Sequence, residues 1–301
     1  MKKVIILIIA LLFLTTGCTK SFIDKESEKQ YTKNILCQPT TEEVKEVYIN
    51  NQDETNVDIT KLSTCNDFNV TDGGYEGLWT SIFVKPLAWL IINIGKIVKN
   101  YGIAIMLLGI ALRLILLPMS KKTMAMSENM KKAKPELDKI ERKYKDKTDQ
   151  QSMMMKSQEM MLTYKKYNIS PVSSCLVAFI QLPILFAFLE AIQRVPVIFE
   201  EKLWIFHLGT TPWEGITNGN YYYIIIVLLI LITTYLSFKN MNNISMDEMQ
   251  AKQMNIMNKF MVGFITIMSF GLPTALAFYW IVSSGFAVVQ NIIQKKIAEK
   301  K

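Results

Sequence analysis

Long apolar blocks alternate along this chain with short polar and charged ones. Such blocks cover residues 99–118, 171–190, 221–238 and 257–292. A helix needs roughly 20 apolar residues to cross a hydrocarbon core about 30 Å thick, so each block is of spanning length. Gly271 and Pro273 interrupt the last one, and proline both removes a backbone donor and ends a helix. The expectation is two helices there, 257–272 and 273–292, joined by a tight turn. The expected fold class is therefore an all-α polytopic membrane protein with five core transmembrane helices.

Between these blocks the periodicity changes. From Trp79 to Val98 the apolar positions are Trp79, Ile82, Phe83, Leu87, Leu90, Ile91, Ile94, Ile97 and Val98, while Lys85, Asn93 and Lys96 fall on the other face. That is helical spacing with one apolar stripe, which predicts an amphipathic helix over 79–98 lying in the outer interface. A further spanning helix is the competing reading. Residues 119–170 read as a charged helical hairpin, with Leu137, Ile140 and Tyr144 on one stripe. Thr148-Asp149-Gln150-Gln151 has capping-box spacing for the start of its second helix. The hairpin is rich in methionine, including Met153, Met154, Met155, Met160 and Met161. Flexible thioethers suit either a surface that accepts many apolar partners or a helix lying over a membrane.

The first eighteen residues have the form of a targeting segment: Lys2 and Lys3, an apolar stretch from Val4 to Leu14, then Thr15-Thr16-Gly17-Cys18. This resembles a bacterial lipoprotein signal, in which Cys18 becomes the lipidated first residue of the mature chain; an uncleaved anchor and ordinary signal cleavage are the competing readings. Residues 19–78 that follow are polar and acidic, and read either as a small appended domain or as a disordered stalk.

Charge orients the chain. The net charge is +8 over 301 residues, and half of the residues are apolar. Thirteen of the Lys and Arg lie in 119–170, and four more lysines lie in the tail 293–301. The loop 191–220 has only Arg194 and Lys202, and 19–78 carries six Lys against twelve Asp and Glu. Cytoplasmic loops hold the basic excess, so 119–170, 239–256 and the tail are expected inside, and 19–78 and 191–220 outside. The positive charge is thus a topology signal first, and no specific nucleic-acid binding is expected. Of the four cysteines, Cys18 belongs to the signal and Cys175 to an apolar block, which leaves Cys37 and Cys65. Both are expected outside, where a disulfide closing a loop of about 28 residues is possible; two cysteines give no pattern that decides it.

Arg113 stands alone inside the otherwise apolar run from Gly102 to Pro118. An Arg at the centre of a membrane helix costs about 2.5 to 3.5 kcal/mol on insertion scales, so it asks for a partner, a hydrated cavity or a route to the interface. Pro118 is only about 7 to 8 Å of helix rise away, so the side chain could also simply reach the headgroups.

Catalytic chemistry is hard to assemble from this chain. His207 is the single histidine, which leaves no Ser-His or Cys-His pair in the membrane and no His-based metal site. There is no glycine-rich phosphate loop, and Glu190 stands at the end of its apolar block rather than inside it. No enzyme activity, no cofactor and no metal are expected.

Several motifs are more specific. Arg113-Leu-Ile-Leu-Leu-Pro118, Gln181-Leu-Pro183, the run from Leu272 and Pro273 through Tyr279-Trp280-Ile-Val-Ser283, and Gln290 resemble, in order and spacing, the signature blocks of the YidC/Oxa1/Alb3 membrane protein insertases. The likeness covers about 79–295, and the lipoprotein-type start resembles the Gram-positive members. Departures from the family pattern are Val177 in the Cys175-Leu176-Val177 element where the family has Pro, Ala275 where Gly is usual, and Ser284 where Asn is usual.

The resemblance implies a membrane insertase and chaperone, working without ATP through a hydrated groove that holds Arg113. Gln181, Tyr279, Trp280, Ser283, Ser284 and Gln290 are further candidates to line the groove or touch substrate. For the polar ones, interhelical hydrogen bonding is the competing role. The implied partners are nascent membrane proteins and the lipid bilayer, with the ribosome and the Sec translocon as further candidates. Two other classes are weighed against this reading. A solute channel or transporter would be expected to show repeats or intramembrane carboxylates, and a lipoprotein sensor would bind a ligand with 19–78.

Overall fold

The structure is a computed structural model that describes residues 19–24, 30–55, 57–147, 149–169, 183–241 and 248–299. Cys18, Cys175, Gln181 and most of the apolar block 171–190 lie outside the described residues. Contacts group the chain into two units, one made of Met1–Ile110, Phe179–Val227 and Phe270–Val282, the other of Ala111–Ala178, Leu228–Ser269 and Ser283–Lys301.

In the first unit, residues 19–78 form a small folded domain, which decides between the two readings of that segment. Strands β1 (Ser21–Ile23) and β2 (Gln30–Thr32) pair antiparallel, and helix α1 (Glu42–Asn50) packs against them. Phe22, Ile35, Tyr48 and Ile59 make its core, with Tyr31, Val44, Val47 and Leu62 against it. So few apolar residues make a weak core for an isolated domain. Cys37 and Cys65 are joined across 28 residues, which ties β2 and the segment before α1 to the turn after the 3-10 helix Ile59–Lys61.

A π-helical turn, Thr80–Val84, leads into α2 (Lys85–Val98). This helix ends at Lys99, whose left-handed backbone (φ +55°) donates its N–H to Gly95 O. A Cβ on Gly95 would fall 2.3 Å from the Tyr101 ring, so only glycine allows this tight corner into α3 (Tyr101–Ile115).

The expectation of five core transmembrane helices is not met. Among the described residues only two helices are long and apolar enough to cross a membrane: Thr80–Val98, with 19 residues, and Thr274–Gln294, with 21. The first coincides with the segment expected to lie along the outer interface. The other apolar helices, Tyr101–Ile115, Pro183–Gln193, Tyr223–Lys239 and Asn255–Met268, are shorter. The physical reason lies where the regular helix stops. The chain turns at Leu116 before α4 (Leu117–Lys143), whose first turn holds Pro118. That leaves α3 with 15 residues, about 22 Å at roughly 1.5 Å each. Helix α6 (Pro183–Gln193) ends before Arg194, the short helices α7 (Pro196–Glu200) and α8 (Pro212–Thr217) follow, and Lys239 closes the apolar part of α9 (Tyr223–Met241). Helix α10 (Glu248–Met268) is polar over its first third. Among the described residues the regular structure is helical apart from two small hairpins, β1–β2 and β3–β4 (Lys202–Leu203 with Phe206–His207).

In the second unit, α4 and α5 (Gln150–Lys166) form the expected hairpin. Met130, Ala133, Leu137 and Ile169 make its buried core, with Met160, Tyr164 and Tyr167 against them. Ile140 and Tyr144 are buried too, which continues the stripe at intervals of three and four. The helix cap differs by one residue from the sequence expectation. Asp149, not Thr148, takes the position, and its carboxylate accepts from Ser152 N at 2.8 Å. Thr148 lies outside the described residues. Methionines 153, 154, 155 and 161 are exposed.

Candidate functional site

Arg113 lies in the last turn of α3, where the unpaired carbonyls of a helix C-terminus favour a cation. Its Nε donates to Ser283 Oγ at 2.7 Å, across 170 residues of sequence. Ser283 is buried and stands in α11 (Thr274–Glu299), beside buried Ser284 and two turns before buried Gln290. Seven residues separate Ser283 from Gln290, two helical turns, so they share a stripe. Gln294 follows four residues on. Its side-chain Nε2 is buried without a hydrogen-bond partner among the described residues. Sequence reading did not single out Gln294; the signal that could have found it was its i,i+4 relation to Gln290.

Buried polar groups normally find partners, and one left without a partner marks a place where water, an ion or a ligand group belongs. The structure therefore joins Arg113 with Ser283, and places Ser284 and Gln290 in the same unit. It does not bring in Gln181, which lies outside the described residues.

Tyr279 and Trp280 belong to the first unit. Tyr279 is buried, stacked on Phe188 with ring centroids 4.2 Å apart. A Cβ on Gly109 would come within 3.0 Å of its ring, so the tyrosine fills the space that the glycine leaves. Trp280, its neighbour, is half-buried and keeps accessible surface.

A second constellation, unforeseen from the sequence, lies within the first unit. Lys85 was expected on the polar face of its helix, yet it is 0% exposed. Its Nζ meets Glu76 Oε1 at 2.9 Å and donates to Asp72 O at 2.6 Å and Gly74 O at 2.7 Å. The loop 72–76 folds over the lysine, which is why the helical wheel misplaced it. Arg194 is 2% exposed, with Nη2 at 2.5 Å from Glu76 Oε2, Nη1 at 3.4 Å from Glu190 Oε1, and Nε donating to Asn34 O at 2.6 Å. Trp79 Nε1 donates to Glu190 Oε2 at 2.9 Å.

Two cations and two carboxylates thus neutralise one another, with Lys85, Arg194 and Glu190 out of water and Glu76 partly exposed, and pairing is the condition under which buried charge is tolerated. Burial pushes the Glu76 carboxyl up, but hydrogen bonds and charge from Arg194 and Lys85 outweigh it and hold the group below its ordinary value. Further ties join the 19–78 domain and α3 to the segment that carries Glu200 and Glu201. Glu200 accepts from the backbone of Thr40 and Thr41 at 3.0 to 3.3 Å, at the start of α1. Glu201 accepts from Tyr101 N at 2.8 Å. Each carboxylate sits on a helix N-terminus, whose dipole favours it.

Among the described residues no three His, Cys, Asp or Glu side chains lie close enough to hold a metal ion. His207 lies in β4, and its backbone N donates to the Tyr223 hydroxyl at 3.1 Å.

Comparison with known proteins places this architecture. The family model described as 60Kd inner membrane protein matches residues 93–301. The membrane protein insertase YidC of Oceanobacillus iheyensis is 34% identical over 252 residues, which cover 80% of this chain and 94% of that protein. The chain belongs to the YidC/Oxa1/Alb3 family of membrane protein insertases. Two further YidC/Oxa1/Alb3 relatives are the insertase YidC of Staphylococcus aureus strain JH9, 35% identical over 75% of this chain and 79% of that protein, and MisCA of Bacillus subtilis, 31% identical over 72% and 79%. A crystal structure of an active YidC insertase with its first transmembrane domain resolved has a TM-score of 0.52 with this chain. At 23% identity, the match covers 83% of this chain and 52% of that one. That likeness is one of fold, and the chain spans about half the length of the solved protein. Membership of the YidC family makes this a protein of the bacterial cell membrane.

Proposed function

We propose that this protein is a membrane protein insertase and chaperone, which receives nascent integral membrane proteins and lowers the barrier to moving their polar segments across the bilayer. The observation that carries the mechanism is the guanidinium of Arg113, held by Ser283 Oγ at 2.7 Å near a stripe of buried polar groups on α11. A cation in a hydrated groove attracts the acidic or polar outer segment of a substrate, and each polar group that finds water or a donor there avoids several kcal/mol of transfer into bare hydrocarbon. The apolar helix of the substrate supplies the driving force when it leaves for lipid, so no nucleotide is hydrolysed and no bond-making group is needed.

In this reading Ser283, Ser284 and Gln290 keep the groove polar, Gln181 adds to it, and Trp280 touches the passing helix. Tyr279 is packed between Phe188 and Gly109. Cys18 carries lipid, residues 19–78 and 191–220 face outside, and the basic hairpin and tail face the cytoplasm, where they meet the ribosome. The protein works alone or beside the Sec translocon.

Site-specific photocrosslinking tests this proposal. Probes at Trp280 and at Leu112, beside Arg113, are read during translation of a short single-spanning substrate. Adducts that form only once the apolar segment of the substrate has emerged are the expected result. Silence at both positions, in a folded and membrane-integrated protein, overturns the groove mechanism.

A further inference from the structure

The β3–β4 hairpin breaks a local rule at its tip. Lys202 pairs with His207 and Leu203 with Phe206, so Trp204 and Ile205 alone make the turn. Two-residue hairpin turns need positive φ and therefore favour Gly, Asn or Asp. Here Trp204 takes φ +55°, a region that side chains other than these enter rarely. The tip side chains are large, apolar and outside the core: Trp204 is 74% exposed and Ile205 57%. Nothing about folding the turn asks for either residue.

The base of the hairpin, by contrast, is firmly rooted. Leu203 and Phe206 are buried. Asn100 Nδ2 donates to Lys202 O at 3.0 Å, and a Cβ on Gly102 would lie 2.9 Å from Leu203 Cβ, so the hairpin packs on the first turn of α3. The Phe206 ring lies edge-on to Tyr223 and Phe278.

This packing fixes the depth of the tip. The Trp204 ring is edge-on to Phe278, with centroids 6.1 Å apart. Phe278 is one turn into Thr274–Gln294, one of the two helices able to cross a bilayer. Trp213, also exposed, is edge-on to Phe270, four residues before that helix begins. Two exposed tryptophans therefore stand at the start of a helix long and apolar enough to span, and a membrane interface is where indole rings accumulate. Charge agrees with that level. Lys202 at the base is exposed, while the Glu201 carboxylate is turned inward onto Tyr101 N, so the flank presents a cation to lipid phosphates.

We infer that the Trp204–Ile205 tip is a membrane-seated finger, inserted into the headgroup–acyl boundary of the leaflet next to loop 191–220, with Trp213 beside it and Lys202 level with the lipid phosphates. The inference rests on the proposed reading only for which leaflet this is. The finger anchors the Tyr101 end of α3 and the Thr274 end of α11 at a fixed height.

The test uses the full-length chain with an environment-sensitive fluorescent amino acid at position 205, reconstituted in phosphatidylethanolamine–phosphatidylglycerol vesicles. The same probe at Tyr75, which is 72% exposed in the outer domain, is the aqueous reference. Lipids brominated near the headgroup are expected to quench position 205 several-fold more than position 75, and iodide to quench it several-fold less. Iodide quenching at 205 equal to that at 75, with no effect of brominated lipid, overturns the finger. Orientation is read separately, from whether externally added iodide reaches position 75 in right-side-out vesicles. The finger and the proposed topology can therefore fail independently.

Discussion

Arg194 and Glu76 meet at 2.5 Å although 118 residues separate them in sequence. The pair links the segment that follows the small N-terminal domain to the end of α6, and with Lys85 and Glu190 it forms a closed set of charges. Replacing Arg194 by Met strips Glu190 of its cation and Glu76 of one of two. Breaking a buried ion pair costs about 3 to 5 kcal/mol, and the partial exposure of Glu76 puts this case near the lower end. We expect Arg194→Met to lower stability by about 3 kcal/mol, measured as a fall in the thermal midpoint of the reconstituted protein. An unchanged midpoint would remove the network from any account of stability.

The same network predicts a pH dependence. Glu76 titrates below its unfolded value because Arg194 and Lys85 outweigh its burial. Its contribution is present above the unfolded carboxyl pKa of about 4.3 and is lost as pH falls through the lower folded value. Hydrogen exchange in residues 72–78, corrected for intrinsic rates, should be level from neutral pH down to about 5 and accelerate below. Glu76→Gln should exchange faster at neutral pH and lose the acid-dependent part of the change.

Cys37 and Cys65 close a loop of 28 residues, and chain-entropy arguments attach about 3.5 kcal/mol to a loop of that length. The core of the 19–78 domain is small, so replacing both cysteines by Ser should open it locally. Exchange protection should fall across 31–65 and stay unchanged in α11. Equal protection in both forms would show that Phe22, Ile35, Tyr48 and Ile59 suffice.

Leu137 is the middle of the buried stripe on α4. Leu137→Ala should destabilise the α4–α5 hairpin by about 2 to 4 kcal/mol, enough to expose most of its amides to exchange. The surface pairs Lys143–Glu159 and Lys166–Glu136 are solvated and should not compensate.

Ser283→Ala removes the acceptor of Arg113 Nε but leaves the charge. A hydrogen bond of about 1 kcal/mol corresponds to roughly a fivefold loss of insertion rate for substrates with charged outer segments. Arg113→Ala should lose more than Ser283→Ala. Insertion unaffected in both variants, for every substrate tried, would detach the pair from function.

The sequence alone determined those features that depend on local pattern and on residue type. The stripe of Leu137, Ile140 and Tyr144 is visible because helical spacing repeats every three or four residues, and the structure buries all three. Arg113 stands out because a lone cation in an apolar run is costly wherever the helix sits. The family motifs were equally legible, being fixed residues in fixed order.

Tertiary structure decided whatever depends on segments distant in the chain, and on where regular helix stops. Apolar composition extends past Ile115, yet the helix breaks at Leu116, so composition overstated the number of helices of spanning length. Lys85 has the spacing of a solvent-facing residue, and only the loop from Asp72 to Glu76 folding over it takes it out of water. No local pattern reveals that Glu76 reaches Arg194, or that Ser283 receives Arg113, because electrostatic and hydrogen-bond partners are chosen by distance in space. Trp204 needed the structure too: a tryptophan in sequence carries no depth, and only its packing on Phe278 sets it level with the first turn of a helix long and apolar enough to span.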